Sequence, residues 1–173
     1  MEKEIGVNEF NVFLRDIKYS KSFLSYSVNT VDIFLTDENE KRLYSFAIDP
    51  SWRITLNNKM IINSRNYPYH ENYNDEEREK EKNDFYEWCK KTEFMQCENV
   101  IEINVLESGD LNIIFENGAI LNKFVNDGEE ADYYFFDKIN NKVYNIMYGK
   151  IIQNDLKPYK KNSLKIQIGG ISI

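Results

Sequence analysis

The sequence predicts an α+β fold: two antiparallel β-meanders, each preceded by a helix and packed as one globular unit. Three observations predict it. Apolar residues alternate with polar ones in several short runs, two segments instead carry apolar stripes at helical spacing, and tight-turn dipeptides separate the runs. At 173 residues, with 42% hydrophobic and 14% aromatic residues, the chain can bury one sizeable core. A single domain over 1–173 is expected, with halves at 8–66 and 75–147 and C-terminal strands over 150–173.

The first helix follows from Phe10, Phe13, Leu14 and Ile17, one stripe at i, i+3, i+4 and i+7, with Asn8 as its expected cap. Leu24, Tyr26 and Val28 then alternate with serines, and Val31, Ile33 and Leu35 continue the period of two. Asp37 to Lys41 is a polar turn, and Arg42 to Ile48 is again extended. Asp49-Pro50 interrupts the run before a strand at Trp52 to Leu56. Asn57-Asn58 tolerates the positive φ of a hairpin leading into Lys59 to Asn63.

Residues 66–74 form a tyrosine-rich loop. Asn74 and Glu77, at capping-box spacing, begin a second helix over about 75–92. Its first half is almost wholly charged and should face water, while Phe85, Trp88, Cys89 and Thr92 should pack on a sheet. The second meander comprises Ile101 to Val105, Leu111 to Phe115, Ala119 to Val125, Tyr133 to Phe136 and Val143 to Met147. Asn117-Gly118 is its strongest turn signal. Leu164 to Ile168 and Ile171 to Ile173 should add strands. Because Val31 to Asn39 and Leu111 to Gly118 can be superposed, duplication of one module is one reading of the two halves.

Charge is segregated along the chain. Residues 1–66 carry nine acids and nine bases, 67–137 carry 19 and 6, and 138–173 carry one and 7; the nets are 0, −13 and +6 within an overall −7. A strongly acidic middle attracts a basic partner and repels nucleic acid and anionic membrane. The expected partner surface is Asp75, Glu76, Glu77, Glu79, Glu129, Glu130 and Asp132 beside the aromatic anchors Tyr67, Tyr69 and Tyr73. The rival reading pairs those acids with Lys157, Lys160 and Lys161 of the chain's own tail.

Chemistry-bearing motifs do not emerge. His70, the only histidine, lies in a polar loop with no G-x-S-x-G nucleophile motif in the chain. Cys89 and Cys97 read as reduced thiols of a cytoplasmic protein; with one distant histidine they do not match zinc spacing. Asp127 to Asp132 lacks the ligand order of a calcium loop, and no glycine-rich phosphate loop occurs. No catalytic residue, metal, cofactor or small-molecule ligand is therefore expected. No apolar run approaches the ~20 residues that span a bilayer, and the N-terminus lacks a secretion-signal pattern.

Pro50-Ser51-Trp52-Arg53-Ile54 and Asp110-Leu111-Asn112-Ile113-Ile114-Phe115-Glu116-Asn117-Gly118 resemble segments of small β-rich bacterial proteins of uncharacterised families. Some of these are similar to immunity proteins of polymorphic toxin and contact-dependent inhibition systems. The resemblance covers roughly residues 10–60 and 95–137 and implies a cytoplasmic binder that neutralises a toxin. The expected function is thus a non-enzymatic immunity protein or inhibitor of a basic toxin. A phage-encoded antagonist of a host defence protein uses the same physics; a carboxylate-dependent hydrolase and a self-associating structural module are the other classes.

Overall fold

The computed structural model describes residues 2–27, 30–64, 98–126 and 131–156, together with 80, 83, 84, 87, 88 and 90. In chain order the elements are β1 (Lys3–Ile5), α1 (Val7–Asp16), β2 (Lys21–Ser27), β3 (Thr30–Thr36), β4 (Arg42–Ile48), β5 (Trp52–Leu56) and β6 (Lys59–Asn63). Then come β7 (Val100–Val105), β8 (Leu111–Phe115), β9 (Ile120–Lys123), β10 (Tyr133–Asp137), β11 (Lys142–Met147) and β12 (Lys150–Asp155). They form a seven-stranded sheet, β1-β12-β11-β10-β4-β3-β2, and a five-stranded sheet, β6-β5-β9-β8-β7, antiparallel at every pairing.

This corrects the expected fold class. Strand makes up 54% of the described residues, so the fold is β-rich rather than an α+β pair of helix-plus-meander modules. The strands do not segregate by half either: β10 pairs with β4, and β5 pairs with β9. The cause is side-chain register. Tyr26, Val31, Ile48, Tyr133, Ile146, Ile151 and Ile5 form one transverse row across all seven strands. Val31, Ile48, Tyr133, Ile146 and Ile151 of that row are fully buried. Since side chains alternate with a period of two, a one-residue slip of β10 would turn Tyr133 and Phe135 together out of the core. In the smaller sheet Ile103, Ile113, Leu121, Ile54 and Ile62 form the equivalent row. Both rows belong to one continuous core, which includes Trp52, Phe115 and Phe135 and, as expected, Trp88.

Among the described residues α1 is the one continuous helix, and it starts earlier than Asn8 would allow. Gly6 is its N-cap, in extended conformation and without a side-chain cap, and Phe10 N–H donates to Gly6 O (3.0 Å). The β1 pairing with β12 sets the chain up to Ile5, so the helix begins directly after the strand. Phe10 and Phe13 pack on Phe135 and Tyr144 of the seven-stranded sheet, with ring centroids 5.0–5.8 Å apart. Burying a ring of that size stabilises by about 1.5–3 kcal/mol, and it fixes which way the rest of α1 faces. Residues 80, 83, 84, 87, 88 and 90 are helical, and Trp88 packs edge-on to Tyr26 (4.7 Å). The rest of the expected 75–92 helix and the strands expected over 164–173 lie outside the described residues. No helix among the described residues is long and apolar enough to cross a membrane.

Candidate functional site

Among the described residues strand β7 has a neighbour on one side only, β8. Leu106 N–H donates to Asp110 O (2.8 Å), which closes the β7–β8 hairpin and fixes the parity of the ladder. Asn104 and Glu102 therefore bond β8, while Val105 and Ile103 turn their N–H and C=O outward. A bulge between Val100 and Glu102 shifts the parity, so Val100 also faces outward.

Two of these three outward positions are closed by side chains. Asn11 on α1 donates to Val105 O (2.7 Å) and accepts from Val105 N–H (2.9 Å), so its amide takes the place of a neighbouring strand. At the other end Ser22 Oγ accepts from Val100 N–H (2.8 Å) and donates to Glu98 O (2.6 Å), and Tyr19 OH donates to Val100 O (2.9 Å). Burial raises the Tyr19 pKa above its ordinary value, so at neutral pH the phenol keeps the proton it donates.

Between these closures Ile103 lines a groove of about 520 Å³. One wall is Leu14, Arg15 and Ile17 with the following Lys18 and Tyr19; the other is β7 with Glu116 of the next hairpin. The strand side is acidic. Residues 98–122 contain five acids and no base, and Glu102, Glu107 and Glu116 are exposed. Glu116 accepts from the Asn99 amide (3.1 Å), and Ile101 beside it is 63% exposed. Among the described residues the groove thus offers the outward main-chain donor and acceptor of Ile103 between an acidic wall and a basic one.

A second concavity of about 380 Å³ lies among Pro50, Ser51, Arg53, Met60, Asn63 and Phe124. There the Arg53 guanidinium stacks over Phe124 (4.9 Å), and Ser51, at φ 80°, donates its N–H to Ser64 Oγ (3.0 Å). Burial raises the Asp32 carboxyl, with Arg42 opposing that shift and Asp49 adding to it, but Asp32 lines neither concavity. Among the described residues no three His, Cys, Asp or Glu side chains come together as a metal-ligand set.

Of the residues expected to meet a partner, Tyr67, Tyr69, Tyr73, Asp75, Glu76, Glu77, Glu79, Glu129 and Glu130 lie outside the described residues, as do Lys157, Lys160 and Lys161. Asp132 is described, and its carboxylate is turned inward. It pairs with Lys123 Nζ at 3.0 Å, with side chains 9% and 1% exposed. Lys123 also donates to Pro50 O (2.6 Å), and Asn126 donates to Asp132 through its N–H and its amide (3.1 Å each). Asp132 therefore ties Asn126, through Lys123, to Pro50 at the start of β5, with its carboxylate turned to these partners. No motif in the sequence singles out Asn11, Tyr19 or Ser22. Asn11 had one sequence signal: a polar residue next to Phe10 on a helix otherwise packed by its apolar stripe.

Compared with known protein families, curated proteins and solved structures, the chain finds no match.

Proposed function

We propose that this chain is a non-enzymatic binding protein, an immunity protein or inhibitor that neutralises a basic partner through an acidic surface. The observation that carries the reading is the unbalanced β7–β8 hairpin with the turn that follows it, where Glu102, Glu107 and Glu116 are exposed within a 25-residue stretch (98–122) that holds no base. Exposed like charges contribute little to folding and repel one another, whereas a cationic partner gains both steering and specificity from them. The −13 balance of residues 67–137 supports the same reading on a larger scale.

The test is capture of partners from the native host at low salt, by the natural chain and by the triple variant Glu102→Lys, Glu107→Lys, Glu116→Lys. A basic protein held by the first, released by ~0.5 M salt and not held by the second supports the reading, since exposed charges interact over only about 10 Å at 0.1 M salt. Equal capture by both chains, or no basic protein on either, sinks it.

A further inference from the structure

We propose that the open middle of the β7 edge takes an extended segment of the partner, added as a sixth strand and hydrogen-bonded to Ile103. This rests on the binding reading above and says where and how the partner docks. An edge strand with unpaired N–H and C=O groups is a template for another chain, which natural proteins normally cover. Here Asn11 covers Val105, and Ser22 with Tyr19 covers Val100, so the ends of the edge are closed and, among the described residues, only its middle is open. From Val100 to Val105 the strand runs about 17 Å at ~3.3 Å per residue, so the window between the closures admits about three residues of an incoming strand.

The register assigns the chemistry of those three residues. The one facing Ile103 shares its side-chain face, on which Ile103 is buried and Leu14 and Ile17 line the groove, so it is apolar. Arg15 and Lys18 on that wall disfavour a cation there. The residues before and after it share the opposite face with Glu102 and Asn104, on the side of the groove that Glu102 and Glu116 line and where residues 98–122 hold no base, so they are lysine or arginine. The occupant is thus a basic–apolar–basic segment in extended conformation. Its main chain gives affinity and its alternating side chains give selectivity, as in other strand-addition complexes.

The probe is a displayed library of random seven-residue peptides selected on the full chain, with enriched peptides then made synthetically. The expected result is enrichment of basic–apolar–basic sequences whose binding weakens about tenfold on N-methylation of the apolar residue's amide nitrogen, the loss of one hydrogen bond of ~1–1.5 kcal/mol. Binding should weaken similarly with Glu102→Arg, and the Ile103 amide proton should exchange freely in the unbound chain but slowly with peptide. No enrichment, enrichment without that pattern, or an Ile103 amide indifferent to bound peptide overturns strand addition. Those failures are separate from failure of the binding reading, which shows as host-partner capture that does not depend on the hairpin's charge.

Discussion

The five-stranded sheet is pinned to its surroundings by different chemistry at its β7 edge and at β9. At its β7 edge the pins are neutral: Asn11, Ser22 and Tyr19 meet main-chain groups at 2.6–2.9 Å. At β9 the pin is charged: Lys123 is 1% exposed and joins Asp132 to the carbonyl of Pro50. A neutral pin makes up for hydrogen bonds the strand would otherwise lack. A charged pin must first recover the cost of taking two ions out of water, so it holds only while both partners are present.

The largest expected effect follows from that asymmetry. Asp132→Ala leaves the Lys123 ammonium buried without its counter-charge and should cost about 3–5 kcal/mol in urea unfolding. Replacing the pair together, as Lys123→Met with Asp132→Leu, should recover most of that loss, because apolar side chains of similar size need no desolvation. A double variant as unstable as Asp132→Ala would show that the Pro50 and Asn126 contacts, rather than the ion pair, hold this region.

At the neutral pin, Asn11→Ala orphans a donor and an acceptor on Val105. An orphaned buried group costs about 1–3 kcal/mol, and water from the adjoining groove relieves part of it, so a loss of about 2 kcal/mol is expected. Hydrogen exchange at the Val105 amide should accelerate by more than at Leu111 across the strand. A loss exceeding that of Asp132→Ala would invert the comparison.

Tyr133 links the two sheets and adds a pH-dependent difference. Its ring fills the seven-stranded sheet, while its hydroxyl donates to Gly109 O (2.8 Å) in the β7–β8 turn. Burial pushes its pKa well above the ordinary tyrosine value, and Asp110 and Asp132 push the same way. A raised folded-state pKa contributes stability fully present below the unfolded value, about 10, and lost as pH rises beyond it. Stability should therefore fall above about pH 10, and Tyr133→Phe should make that fall shallower while lowering stability at neutral pH by about 1 kcal/mol. An alkaline limb unchanged in the variant would assign it to Tyr19, Tyr44 and Tyr144, whose pKa values burial also raises.

Local signals in the sequence located most of the strands; they did not locate the partners of those strands. Alternation at Val31–Leu35 and Leu111–Phe115 and the turns at Asn57-Asn58 and Asn117-Gly118 appear where expected, with Asn57, Asn58 and Gly118 at φ of 51°, 60° and 81°. Pairing of β10 with β4, and of β5 with β9, depends on matching rows from distant segments, which no local window contains. β1 is three residues long and takes its stability from β12, so its own pattern is uninformative. The site was less legible still. Acidic excess was visible as composition, but the open edge at Ile103 arises from ladder parity and a bulge, and its closures come from residues 78–94 positions away. In sequence Asp132 stands with the acids Glu129 and Glu130 and looks like part of an acidic surface; only the fold brings Lys123 beneath it.

The smallest expected effect compares the buried ion pair with an exposed one. Lys142 and Asp155, cross-strand neighbours on β11 and β12, approach to 2.6 Å, closer than the 3.0 Å of Lys123 and Asp132, yet their side chains are 33% and 58% exposed. The hydrogen bond from Lys142 is the main influence holding the Asp155 carboxyl down to about 2. A depressed folded-state pKa contributes stability present above the unfolded value, about 3.9, and lost as pH falls through about 2. Lys142→Met should raise the Asp155 pKa toward its ordinary value in an NMR titration while leaving the melting temperature at pH 7 nearly unchanged, because water screens the pair. A carboxyl still near 2 in that variant would assign the shift to another cation. A melting temperature lowered as far as by Asp132→Ala would show that distance, rather than burial, ranks these two pairs.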